Sequence, residues 1–190
     1  MSKTEPSIYG KMPILNSATL LIVGCHGIGK HELAKALVGV GTSYALQVRT
    51  ATSLPLPENK ETDRPKIDMV IFMIDMTDKR SMAVVESSLP HLDVDYFLGR
   101  VCFVIKNAQG LLDRSVEIEA VTQLADTYDS PLLCETVEPG QGGSSVAEKI
   151  LQLLAISVGF HDHITPLLID VTKRPYHTLL DSSIAWTPNS

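Results

Sequence analysis

Residues Val23–His31 have the sequence VGCHGIGKH and follow an apolar run, TLLIV. They nearly match a phosphate-binding loop, because Gly24 and Gly29 stand five positions apart and Lys30 follows. In such a loop the glycines turn backbone N–H groups toward phosphates, the lysine reaches the β- and γ-phosphates, and a hydroxyl after it binds Mg²⁺. That last position is His31, whose imidazole is a poor substitute for a hydroxyl. The stretch predicts a strand, a turn and a helix, with either phosphate contact or a purely structural turn.

Five short apolar runs outline the sheet: Thr19–Val23, Ala45–Thr50, Asp68–Asp75, Arg100–Lys106 and Pro131–Glu135. Several are continuous rather than alternating, as expected of strands that are covered on both faces. Helical patterns lie between them. The alternation predicts an α/β fold with a single doubly wound, mostly parallel sheet flanked by helices.

Two of the helical segments carry specific expectations. In the first, one face is predicted to hold Leu33, Ala34, Leu37 and Val38, and Gly39 and Gly41 are predicted to stop the helix. The last helix is predicted to open with a capping box, Ser145 to Glu148.

Composition limits the classes of partner and compartment. The net charge of −6 and the scattered basic residues argue against direct binding to nucleic acid or an anionic membrane. No apolar run approaches the roughly 18 residues that cross a bilayer, and the N-terminus does not read as a secretory signal. The three cysteines lack metal-site spacing, which favours reduced thiols in the cytosol or nucleus. We expect a flexible N-terminus over residues 1–12, a domain over 13–160, and a tail over 161–190 that is partly ordered at most.

The other parts of a nucleotide hydrolase are missing. Between Lys30 and Asp68 there is no DxxG, and the guanine-reading NKxD is replaced by Asn107-Ala108-Gln109-Gly110. Asp75 could supply an acidic ligand at a strand end, or it could simply cap the strand. We therefore predict no catalytic residues, no metal, no cofactor and no enzymatic activity. The alternative is a P-loop nucleotide hydrolase or kinase with an unusual Mg²⁺ site. The residues of the degenerate phosphate loop are Gly24, Gly27, Gly29, Lys30 and His31.

The order of elements resembles a small-GTPase (P-loop NTPase-like) domain whose catalytic motifs have decayed. Several longer strings are similar to the centromere protein M family: LNSATLLIVG (Leu15–Gly24), SLPLP (Ser53–Pro57), RPKIDMVIFM (Arg64–Met73), ESSLPHLDVDYFLGRVCF (Glu86–Phe103) and LADTYDSPLL (Leu124–Leu133). The similarity runs in the expected order from Met12 to Gly159. These strings are not general features of GTPase domains, so the resemblance is specific.

This resemblance implies a pseudo-GTPase: a GTPase fold that does not hydrolyse nucleotide. It implies a scaffold subunit of the inner kinetochore, in the nucleus at the centromere of the chromosome. The implied partners are centromere proteins H, I and K, and the implied roles are kinetochore assembly and chromosome segregation in cell division. The chain departs from the expected pattern because it keeps Gly24, Gly29 and Lys30.

A partner surface is predicted at the edge of the sheet away from the loop. Two apolar segments follow helices, Tyr96-Phe97-Leu98 and Leu167-Leu168-Ile169, and helices return the chain to that edge. We expect Phe97 and Ile169 to serve the core. The predicted interface residues are Tyr96, Leu98, Leu167 and Leu168, with Leu98 and Leu167 as the outward anchors for centromere protein I.

Overall fold

The computed structural model describes residues 16–57, 66–108, 115–134 and 142–160. Its strands are β1 (Ser17–Val23), β2 (Ala45–Ala51), β3 (Met69–Asp75), β4 (Val101–Lys106) and β5 (Leu132–Cys134). Its helices are α1 (Lys30–Val40), α2 (Lys79–Ser88), α3 (Ile118–Thr127) and α4 (Gly142–Val158). Two 3₁₀ turns, Leu89–His91 and Val94–Phe97, connect α2 to β4. No helix of the described residues is long and apolar enough to span a membrane.

The five strands form one sheet in the order β2-β1-β3-β4-β5, and every neighbouring pair is parallel. The chain moves from β1 to the edge strand β2, then crosses back to β3 and continues to β5. The direction of winding therefore reverses beside β1, and the loop after β1 lies at this switch point. The predicted doubly wound, small-GTPase-like fold is confirmed.

Helices cover both faces of the sheet. α1 and α4 pack on the face that contains Leu20 and Ile71, while α2 and α3 pack on the face that contains Leu21 and Val70. Because both faces are covered, β1, β3 and β4 read as continuous apolar runs in the sequence. The edge strand β2 is different, since none of its seven residues is buried.

The local predictions about helices are wrong for Val38, Gly39 and Ser145, whereas the predicted stop of α1 at Gly41 is confirmed. Val38 is 62% exposed, because Leu33 and Leu37 already face the core and Val38 is turned about 100° further around the helix. α1 also continues through Gly39 and ends before Gly41. Ser145 lies inside α4, which begins at Gly142, so Ser145 is not the N-cap.

Asp68, which directly precedes β3, links the beginning of that strand to β1. Its carboxylate accepts a hydrogen bond from the Thr19 N–H at 2.9 Å and pairs with the Lys66 ammonium at 3.2 Å. The Asp68 N–H in turn donates to the Thr19 carbonyl at 2.9 Å. Thr19 is 7% exposed, so its N–H has little access to water if the carboxylate is removed.

We predict that Asp68→Ala lowers the free energy of unfolding by about 1–3 kcal/mol, because it leaves a buried N–H without an acceptor. Asp68→Asn keeps an acceptor oxygen and is the matched control, with a smaller loss expected. Urea denaturation measures both. Equal losses in the two variants would show that the charge matters rather than the hydrogen bond to Thr19.

Candidate functional site

The turn between β1 and α1 is fixed by contacts with the neighbouring strands. The Gly24 N–H donates to the Ala51 carbonyl of β2 at 3.2 Å. A Cβ on Gly24 would lie 3.1 Å from Ile28 and 3.2 Å from Met73 of β3, so a side chain would crowd the turn. Ile28 itself is 3% exposed and belongs to the core beneath α1. Packing therefore favours glycine at this first position of the degenerate loop, whether or not a ligand is bound.

Lys30 folds back into the turn that precedes it. Its ammonium donates to the Gly24 carbonyl at 2.6 Å and to the Cys25 carbonyl at 2.8 Å. The residue is only 8% exposed. Burial lowers the pKa of Lys30 below its ordinary value, and the nearby Cys25 opposes this shift. Two of the three ammonium donors thus hold the loop closed around the first turn of α1.

A second lysine reaches the same loop from β4. The Lys106 ammonium donates to the Ile28 carbonyl at 3.3 Å. It also lies 2.6 Å from the position that a Cβ on Gly29 would occupy. Gly29 has φ +98°, a conformation that a side chain would strain. Sequence reasoning missed Lys106; the available signal was its position at the end of a strand on the same edge as the loop.

The acid at the end of β3 is engaged within the chain. Oδ1 of Asp75 accepts from the Thr77 N–H at 2.9 Å, the Thr77 hydroxyl at 2.7 Å and the Asn107 amide at 3.0 Å. Burial raises the pKa of Asp75, but these hydrogen bonds and the Lys106 charge outweigh burial and leave it below its ordinary value. Asn107, the residue that remains of the guanine-reading motif, is thus bonded to Asp75. This geometry favours the strand-capping interpretation of Asp75.

Few side chains around the loop could bind a metal or take part in catalysis. His31, in the position of the Mg²⁺-binding hydroxyl, is exposed on α1. β2, the other neighbour of β1, ends at Ala51, and the Thr52-Ser53 that follow supply no carboxylate. Burial and the Asp78 charge raise the pKa of Cys25, which disfavours a reactive thiolate. No cluster of three or more His, Cys, Asp or Glu side chains that could hold a metal occurs among the described residues.

The predicted partner surface is revised at the opposite edge of the sheet. Tyr96 is fully buried and its hydroxyl donates to the Ile67 carbonyl at 2.9 Å, so its predicted place at the interface is wrong. Leu98 is 59% exposed, and Val94, which sequence reasoning missed, is 75% exposed. Both belong to the turn before β4 and hence to the edge where parallel strands begin. Leu167 and Leu168 lie outside the described residues.

We predict that Lys30→Met lowers the free energy of unfolding by about 1–3 kcal/mol, because it leaves the Gly24 and Cys25 carbonyls without their charged donor. If Lys30 were kept only for a ligand, Lys30→Met would instead raise the free energy of unfolding, because the cost of burying the charge would disappear. His31→Ala, an exposed change in the next position, is the control. Chemical denaturation at pH 7 measures all three proteins.

The chain is similar to known proteins over most of its length. The sequence profile of the family Centromere protein M (CENP-M) matches residues 6–176. Centromere protein M of Xenopus laevis is 36% identical over 161 residues, which cover 85% of this chain and 89% of the relative. The Danio rerio protein is 38% identical over 154 residues, covering 80% and 82%, and the Homo sapiens protein is 36% identical over 149 residues, covering 78% and 82%. The chain therefore belongs to the centromere protein M family.

Proposed function

We propose that this protein is a pseudo-GTPase: a non-catalytic scaffold subunit of the inner kinetochore. The observation that carries the proposal is the loop closed on its own lysine, with two Lys30 donors bound to loop carbonyls and no hydroxyl after the lysine. A hydrolase needs that loop to hold phosphates and a metal. Here the same residues stabilise the junction of β1 and α1.

The family supports the cellular setting of the proposal. Its curated members from frog, fish and human are named centromere proteins, and they are similar to this chain over most of its length. We infer that this chain also works at the centromere, in the nucleus, during kinetochore assembly and chromosome segregation. Its net charge of −6 suits contact through protein partners rather than direct contact with DNA.

One observation favours the alternative, a P-loop hydrolase or kinase. Gly24, Gly29 and Lys30 are all retained, and the Lys30 ammonium keeps a third donor. A phosphate could take that donor if the loop admitted it. The alternative still requires a Mg²⁺ ligand in place of a hydroxyl at His31, and it requires Asp75 to leave Thr77 and Asn107.

The surface for a protein partner is proposed at the edge opposite the loop. Val94 and Leu98 expose apolar side chains four residues apart, with Tyr96 between them anchored in the core. Apolar side chains this exposed and this close together suit an interface more than a solvated surface. We propose that they dock a large helical partner, centromere protein I, together with Leu167, and that centromere proteins H and K join the same assembly.

We predict that Leu98→Glu weakens binding of centromere protein I by at least ~2 kcal/mol, about thirtyfold in Kd, because it buries a charge at the centre of the interface. Adding Leu167→Glu should abolish co-purification. The melting temperature of Leu98→Glu should stay near that of the wild type, since the side chain is exposed.

His31→Glu, at the other edge, is the control and should bind normally. Undiminished binding by the double variant would contradict this placement of the interface. So would a complex broken by substitutions at Lys30 or His31.

A further inference from the structure

The outer side of the edge strand β2 is open to a further strand. In the part of the chain that the structure describes, β2 has β1 as its one neighbour. Six of the seven residues of β3 are buried, whereas none of the seven in β2 is. A long, exposed edge of this kind invites pairing with another strand.

The register identifies the backbone groups that lack a partner strand. The Ala45 N–H donates to the Asn16 carbonyl, and the Ala51 carbonyl accepts from the Gly24 N–H. In a parallel ladder alternate residues direct both backbone groups to the same side, so Ala45, Gln47, Arg49 and Ala51 face β1. The N–H and carbonyl groups of Leu46, Val48 and Thr50 therefore face the open edge.

The chain leaves α4 next to the beginning of this edge. Phe160 follows α4, and its ring centroid lies 4.6 Å from that of Tyr44, the residue directly before β2. The Tyr44 hydroxyl is buried and has no hydrogen-bond partner among the residues that the structure describes. Thirty residues follow Phe160 in the sequence. The next segment of the chain thus starts beside the N-terminal end of β2.

The handedness of the crossovers selects β2 over the opposite edge. α1 lies on one face and connects β1 to β2, toward the β2 end of the sheet. α2 and α3 lie on the other face and connect strands toward the β5 end, as right-handed crossovers require. α4 follows β5 and lies on the same face as α1. A right-handed crossover through α4 therefore leads back toward the β2 end of the sheet, where the free edge lies. A strand added beyond β5 would need a left-handed crossover.

The tail contains one segment that suits this position. Leu167–Thr172, with the sequence LLIDVT, lies between Pro166 and Lys173-Arg174-Pro175, and the family match extends to residue 176. In a strand, alternation would put Leu167, Ile169 and Val171 on one face, beside the half-buried Leu46 and Val48 of β2.

The opposite face of Leu167–Thr172 would complement β2 in charge. It would carry Asp170, next to the exposed face of β2 that holds Arg49. Six residues separate Phe160 from Leu167, and this length of chain can span about 24 Å, which is ample for reaching the adjacent edge.

We propose that Leu167–Thr172 adds to the sheet as a sixth strand, parallel to β2. The new strand completes the ladder through the outward groups of Leu46, Val48 and Thr50. This arrangement does not depend on a kinetochore partner. It places Leu167 at the edge of the sheet where Leu98 also lies.

Residue-resolved hydrogen exchange of the full-length protein tests the proposal. In the wild type, the amides of Leu46, Val48 and Thr50 should be protected. In the full-length double variant Ile169→Pro with Asp170→Pro, their exchange should become about tenfold faster or more, since proline removes the ladder donors. The amides of Gln47 and Arg49 bond to β1 and serve as internal controls that change much less.

Ser183→Pro, a proline outside the segment, should leave all five amides unchanged. Fast exchange at Leu46, Val48 and Thr50 in the wild type would overturn the proposal. So would protection that survives the double proline variant. Protection that varies with protein concentration would assign the edge to a second copy of the chain and would also overturn it.

Discussion

The Lys30 ammonium, bonded to the carbonyl oxygens of Gly24 and Cys25, is the interaction on which the rest of this structure depends. It ties the end of β1 to the start of α1 at the point where the sheet changes its direction of winding. Gly24 packs against β2 and β3 at the same point. In this way the lysine of the phosphate-loop motif joins the central strand to its helix.

The strands were predictable because the physical signal is strong and local. β1, β3 and β4 are covered on both faces, so each had to be a continuous apolar run, and each expected range lies within two residues of the observed one. The wrong predictions fall where the outcome depends on neighbouring elements, which a local sequence pattern does not contain. Val38 continues the apolar stripe of α1, yet no element in the described ranges covers it, and Ser145 matches a capping motif one turn inside α4.

The site was predictable in its residues but not in its bonds. The near-motif identified Lys30 and the glycines, whereas the Lys106 contact with Ile28 spans 78 positions in the sequence. The same limit applies to Asn107, whose amide is bonded to Asp75. At the other edge, the apolar run around Tyr96 indicated a surface, but only the fold shows that Tyr96 turns inward while Val94 and Leu98 turn outward.

The most direct test of the account is a titration of the full-length protein with fluorescent GTP and ATP analogues in the presence of Mg²⁺. A loop closed on its own lysine predicts no saturable binding at nucleotide concentrations up to about 1 mM, which corresponds to a binding free energy weaker than about −4 kcal/mol. Saturable binding that Lys30→Met abolishes would contradict the account, because it would show that the loop opens and that its lysine is still a ligand for phosphate.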